Sequence, residues 1–287
     1  MFNYIKADLY RLFHKTSNRV YWSVLAGAFV LMMVLNGSNF SGPSNEITEF
    51  YYSTAGMALL SLGAIVICPQ VYSTVYLDDY TSRNSVRVFS SGLGKSQYLL
   101  AKIIVTVSYM IGVLLFLTLS FLAGFGLLAL LNHGLPFFDK SQIIFLISEV
   151  GFLILFTVAF SALTNVITIN IQSGTVPLLL FFLFSSGMFA SFIHLVMKLP
   201  ILKNINVDPF LLSTNTDKLQ TALMNMSGLM GGQSTSVGAV NFEVGVWDVT
   251  EQIRSIGARP FLVIGGYLIV TTLVTWFLLN KKDIKEI

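Results

Sequence analysis

The sequence predicts an all-α membrane protein with six transmembrane helices, an N-terminal amphipathic interfacial helix, and a small extracellular cap between the fifth and sixth spans. Three observations lead there. Hydrophobic residues make up 54% of the 287-residue chain and charged residues 11%, against about 25% charge in an ordinary soluble domain. The mean hydropathy is +0.75, and a domain of this size still exposes much of its surface, so the surrounding solvent has to be lipid. The apolar residues also gather into six long stretches.

The segment 1–19 comes first and does not read as a signal peptide, because its apolar run starts only near Val20 and no small-residue cleavage site follows. Phe2, Ile5, Leu9, Leu12 and Phe13 recur at helical spacing on one side, while Lys6, Asp8, Arg11 and Lys15 fall mostly on the other. The expectation is a helix in the headgroup plane with its basic side toward anionic lipid, the plainer alternative being an ordinary helix packed on other protein.

The six apolar stretches run 21–35, 55–76, 103–131, 143–167, 175–197 and 261–279. Crossing the hydrocarbon core takes about 20 helical residues, with latitude for tilt. Lys and Arg gather in the short segments on the cytoplasmic side. Lys6, Arg11, Lys15 and Arg19 precede the first span, Arg83, Arg87, Lys95 and Lys102 join the second to the third, and Lys281, Lys282 and Lys285 end the chain. The loop 36–54 has no basic residue and 132–142 has only Lys140. The expectation is a multi-pass protein of the cell membrane with both termini in the cytoplasm. All of 1–287 forms one transmembrane domain.

Between the fifth and sixth spans, 198–260 is the expected cap. It holds an amphipathic stretch over 216–230, a Gly/Ser/Thr-rich hinge at 231–238, alternating Val240, Phe242, Val244 and Val246 with strand character, and a short helix near 249–256.

Covalent chemistry finds little support. Gly92-Leu93-Gly94-Lys95-Ser96 ends like a phosphate-binding loop, but that motif needs a glycine five residues before Gly94, where Phe89 stands. His14, His133 and His194 are far apart, and no metal-ligand spacing occurs. The lone Cys68 allows no disulfide within the chain. The chain is therefore expected to have no catalytic, cofactor or metal site of its own.

Two residues mark a possible pathway. Glu149 is the one acid placed within a span, and it either faces protein or a water-filled cavity or, if the helix starts later, sits among the headgroups. Pro69 removes a backbone donor and bends the second span, which can shape a pathway or be purely structural.

The loop 77–101 is the most informative segment. It opens with Asp78 and Asp79, sets Arg83 and Arg87 on one helical face, turns at Ser90-Ser91-Gly92, and continues through Lys95 and Tyr98 to Lys102. A short surface helix ended by Gly92-Leu93-Gly94 is a natural knob for a cytoplasmic partner, and a basic loop that only sets topology is the plainer alternative.

With these residues in view, the chain resembles the membrane subunits of type-2 ABC exporters, permeases that pair with a separate ATPase. The resemblance covers nearly the whole chain. It rests on the amphipathic start Ile5-Lys6-Ala7-Asp8-Leu9-Tyr10-Arg11-Leu12, the six-span layout, the long segment before the last span, and Asp79, Arg87, Ser91-Gly92, Lys95, Tyr98 and Lys102 in the loop. It departs near Arg83, where the family usually has glycine. The resemblance implies dimerisation with a second copy or a paralogue, docking of an ABC ATPase subunit that carries the ATP and Mg, contact with membrane lipid, and no nucleic acid. It makes 77–101 the coupling loop, with Asp79, Arg83, Arg87, Gly92, Lys95 and Tyr98 as coupling residues. Arg83, Arg87 and Lys95 would dock the ATPase, and Tyr98 would pack the loop on its own helices. Among the substrates of such permeases, the methionines Met224, Met226 and Met230 favour an amphipathic peptide or hydrophobic compound. The competing expectation is an ion-coupled secondary transporter or channel working without an ATPase.

Overall fold

The computed structural model describes residues 1–37, 63–82, 84–131, 140–169, 171, 175–198, 207–230, 254 and 256–281. Among them the regular structure is entirely helical. The expected strand at 240–246 and the hinge at 231–238 lie outside the described residues, as does most of the helix near 249–256.

The N-terminal amphipathic segment forms two helices, where one was expected. Helix α1 (Phe2–His14) ends at Lys15, whose extended backbone (φ −64°, ψ 118°) turns the chain directly into α2 (Thr16–Gly37). The Asn18 side chain donates to the Leu12 carbonyl at 3.0 Å and the Arg19 guanidinium to that of His14 at 2.6 Å, so the corner satisfies the carbonyls that the end of α1 frees. Asp8 departs from its expected polar face: it is buried together with Ile5 and Leu12. Positions 5, 8 and 12 share one helical stripe, and Asp8 can join it because basic partners meet it inside.

Of the second stretch, 55–62 lies outside the described residues. From Gly63 on, wider π turns at Gly63–Ile67 and Ser73–Leu77 flank α3 (Cys68–Tyr72), and α4 (Asp78–Thr81) follows. Pro69 lies in this stretch, and its missing N–H offers one reason for the irregular ladder. Helix α5 (Asn84–Ser90) and the long α6 (Lys95–Leu131) complete the first half.

Helix α7 (Lys140–Thr168) is the central post of the second half. Around it pack α3, α8 (Thr175–Ser185), α10 (Leu212–Met230) and α11 (Arg259–Lys281). Phe145, Leu153, Phe156 and Phe160 of α7 are fully or almost fully buried, and Tyr72 stacks on Phe181 with ring centres 5.1 Å apart. On the other side α1 and α2 lie along α6, where the Trp22 indole donates to the Tyr109 hydroxyl at 2.8 Å. That pairing lets two large aromatics sit in the core with their polar atoms satisfied.

Three helices are long and apolar enough to cross a membrane, within Lys95–Gly124, Ile143–Thr168 and Arg259–Lys281. Their outward faces carry large apolar side chains such as Leu119, Ile147, Leu262 and Ile269, each more than 60% exposed, as suits lipid and not water. The chain is accordingly a membrane protein. The fifth stretch would supply a fourth span, but it is not straight. Helices α8 and α9 (Met188–Met197) bend by 65° at Ser186-Gly187, where Gly187 takes φ +72°. An L side chain in that left-handed region costs about 1–2 kcal/mol. Gly187→Val should therefore lower the thermal unfolding midpoint in detergent, and an unchanged midpoint would show that the bend does not need this backbone.

The main described elements of the 198–260 segment are a short turn at Asp208–Phe210 and α10, which packs on α7 and α11 and so forms part of the same helical body.

Candidate functional site

The loop that joins the second stretch to the third folds over a buried cluster of charges. Asp79, at the start of α4, is 1% exposed. Its carboxylate meets the Arg11 guanidinium of α1 at 2.7 Å and pairs directly with the Lys102 ammonium of α6. Asp8 of α1 faces the same two cations, Arg11 at 2.6 Å and Lys102 at 2.7 Å. Two acids and two bases thus alternate around a closed ring, and the group is neutral as a whole.

The ring also meets hydrogen-bonding neighbours. Lys102, with no exposed surface, donates to the Val75 carbonyl at 2.9 Å and lies 5.7 Å from the ring centres of Tyr4 and Tyr98. Both phenols donate to Asp79, at 3.3 Å from Tyr4 and 3.4 Å from Tyr98. Burial, followed by the Asp79 and Asp8 charges, pushes the Tyr4 phenol well above its ordinary range, so it stays a neutral donor. Burial works against the Arg11 charge, but Asp79 and Asp8 outweigh it and hold that group above its ordinary value.

Isolated charges could not be buried here, because desolvation costs several kcal/mol per ion. Mutual pairing within one ring makes the burial tolerable and ties three elements into one register: the N-terminal helix, the loop, and the start of a membrane-crossing helix. A more exposed pair, Lys15 with Asp78, fastens the α1–α2 corner to the same loop.

The residues expected to carry coupling fall into different places. Asp79 and Tyr98 lie inside, Tyr98 packing edge-on against Phe89 at 5.0 Å. Asp79 therefore presents no surface to a partner; it anchors the loop from beneath. Lys95 reaches the Leu279 carbonyl in the last turn of α11, where a cation suits the negative end of the helix. Arg87 stands exposed on α5, and Gly92, at φ +89°, makes the exposed turn after it. Arg83 lies outside the described residues.

Sequence reasoning missed Asp8, Arg11 and Lys102 as site residues. Two signals were present. Lys102 falls just where a long apolar run begins, and Asp8 sits three residues after Ile5 and four before Leu12.

The pathway residues lie elsewhere. Glu149 is 1% exposed, enclosed in protein, and neither carboxylate oxygen has a hydrogen-bond partner. Pro69 is buried on α3, one of the helices packed on α7. Among the described residues no group of three or more His, Cys, Asp or Glu side chains is placed to hold a metal ion. No protein-family model matches the chain, and no curated protein matches it.

Proposed function

We propose that this chain is the membrane subunit of an ATP-driven ABC exporter of the type-2 kind. In this reading it spans the membrane six times with both ends in the cytoplasm, pairs with a second copy or a paralogue, and docks a separate ATPase subunit that carries ATP and Mg. The cargo is an amphipathic peptide or hydrophobic compound. The observation that supports it most is the ring of Asp8, Arg11, Asp79 and Lys102, which fastens the amphipathic helix, the loop and α6 together. Motion delivered to the exposed α5 would pass into α1 and α6 without being lost in a soft loop. A ligand-driven machine needs such a stiff link, because ATP can shift the conformations only by as much as the two bind it differently.

Arg87, exposed on α5 and without an ion-pair partner among the described residues, is the foremost docking group. Lys95 contributes to placing the loop against α11. Purification in mild detergent followed by mass spectrometry should recover an ATPase near one-to-one. Charge reversal at both Arg83 and Arg87 should release that ATPase and uncouple its hydrolysis from transport while leaving membrane insertion intact. Unchanged transport in the double variant would remove the docking role.

A second reading, an ion-coupled secondary transporter or channel, draws its support from Glu149, an acid enclosed within a membrane helix. A chain that purifies alone and still moves a solute in liposomes would favour it.

A further inference from the structure

Helices α1 and α2 part at the Lys15 corner, and both lie along α6. The wedge between the three holds a cavity of about 410 Å³, within the range of small-molecule sites. Its floor is buried and mainly apolar, with Leu12 from α1, Trp22 from α2, and Tyr109 and Val113 from α6. Polar groups in that wall already have partners: the Trp22 indole donates to the Tyr109 hydroxyl and the Asn18 amide to the Leu12 carbonyl. What suits the floor is therefore an apolar chain.

The rim has a different character. Arg19 and Ser23 stand one turn apart on α2, both exposed, and Phe116 joins them from α6. Phe116 continues into the outward apolar side of α6 through Leu119, three residues on, so the cavity opens sideways toward lipid. Arg19 has no ion-pair partner among the described residues. Its guanidinium gives one hydrogen bond to the His14 carbonyl, and a guanidinium has donors to spare. The acids of this corner are already paired: Asp8 and Asp79 belong to the ring, and Asp78 answers Lys15. A phosphate at the rim meets a cation, whereas an ammonium group meets no free carboxylate among the described residues.

We propose that this wedge binds one anionic phospholipid, with an acyl chain in the cavity against Trp22 and the phosphate on Arg19. A guanidinium grips a phosphate through paired N–H bonds, which fixes the headgroup at the rim. The charge pattern selects a headgroup without a cation, such as phosphatidylglycerol, over phosphatidylcholine, whose ammonium finds no counter-ion here. The site goes beyond the exporter reading, because it needs neither an ATPase nor a second copy. It depends only on α6 lying in the membrane.

The test reads contact between lipid and Trp22. The chain has three tryptophans, and the full-length variant Trp247→Phe/Trp276→Phe keeps Trp22 alone as the reference. It is purified in neutral detergent and titrated with phospholipids whose brominated acyl chains quench indole fluorescence on contact. Trp22 is 7% exposed, so lipid around the protein at large reaches it poorly, while a chain in the cavity reaches it directly. We expect saturable quenching by brominated phosphatidylglycerol at about one-tenth the concentration that brominated phosphatidylcholine needs. Arg19→Gln should remove that preference, and Arg19→Lys should keep part of it. Ser23→Phe, at an exposed position whose new ring covers the mouth, should reduce quenching by both lipids. Glycerol phosphate, which has the charge but no chain, should not displace the lipid. No quenching of Trp22 in the folded reference, equal quenching by the two lipids, or a preference kept in full by Arg19→Gln would each overturn the site. Undiminished quenching in Ser23→Phe, or displacement by glycerol phosphate, would overturn the place given to the acyl chain. None of these results bears on whether an ATPase co-purifies, so the two readings fail separately.

Discussion

Lys102→Met is expected to cost about 3–5 kcal/mol of stability, the usual penalty for removing one member of a buried ion pair. The substitution keeps the length and the apolar stem but leaves Asp8 and Asp79 facing a single cation, Arg11, in a place with almost no access to water. Unfolding in mixed micelles measures the loss. The exposed Lys6 serves as the control, since Lys6→Met should shift stability by no more than about 0.5 kcal/mol. Adding Asp8→Asn to Lys102→Met should recover part of the loss, because it removes the charge that the lysine had answered. Members of one network show interaction energies of about 0.5–3 kcal/mol in such cycles. A Lys102→Met chain as stable as Lys6→Met would mean that the ring contributes nothing to holding α1, the loop and α6 together.

The next largest effect is expected at Gly63. A Cβ built there would lie 2.6 Å and 2.9 Å from the two terminal carbons of Leu153 and 3.3 Å from its branch point. Leu153 has no exposed surface, so its side chain has nowhere to withdraw. Gly63→Val should therefore cost about 1–3 kcal/mol, as overpacking in a closed core does. Leu153→Ala alone should destabilise as well, by leaving a cavity, and the double variant should be more stable than the sum of the two predicts. Simple addition of the two losses would show that the helices do not meet at this point. The contact also bears on Glu149, which stands one turn before Leu153 on α7: the close approach at Gly63 fixes that part of α7 in place.

Much of the fold was legible because lipid imposes long apolar runs. The third, fourth and sixth stretches became helices that cover them fully or nearly so, and the amphipathic start became α1. Harder to read were features set by what lies across an interface. Asp8 looked like part of a polar face, because its burial depends on Lys102 from a helix 94 residues away. The resemblance placed Asp79 in the coupling loop, and its burial was hidden for the same reason. The bend at Gly187 was hidden within a continuous apolar run, since hydropathy reports length and not direction. Arg87 and Gly92 are exposed, while Lys95 turns back to the end of α11, a contact between distant segments that no local pattern announces. For Glu149 the sequence left protein interior and headgroup level open, and only the packing of α3, α8, α10 and α11 around α7 decided for the interior.

The ring has a consequence for how the chain is made. A lysine at the start of a long apolar helix is a poor passenger for a bilayer until something answers its charge. Asp8, one of its two counter-ions, is synthesised 94 residues earlier, and Asp79 is also made before Lys102 emerges. The N-terminal helix is thus a counter-ion made in advance, already present when the third apolar stretch leaves the ribosome. Removing the first fourteen residues should then do its damage during biogenesis, stranding α6 at the surface of the bilayer and marking the newborn chain for degradation.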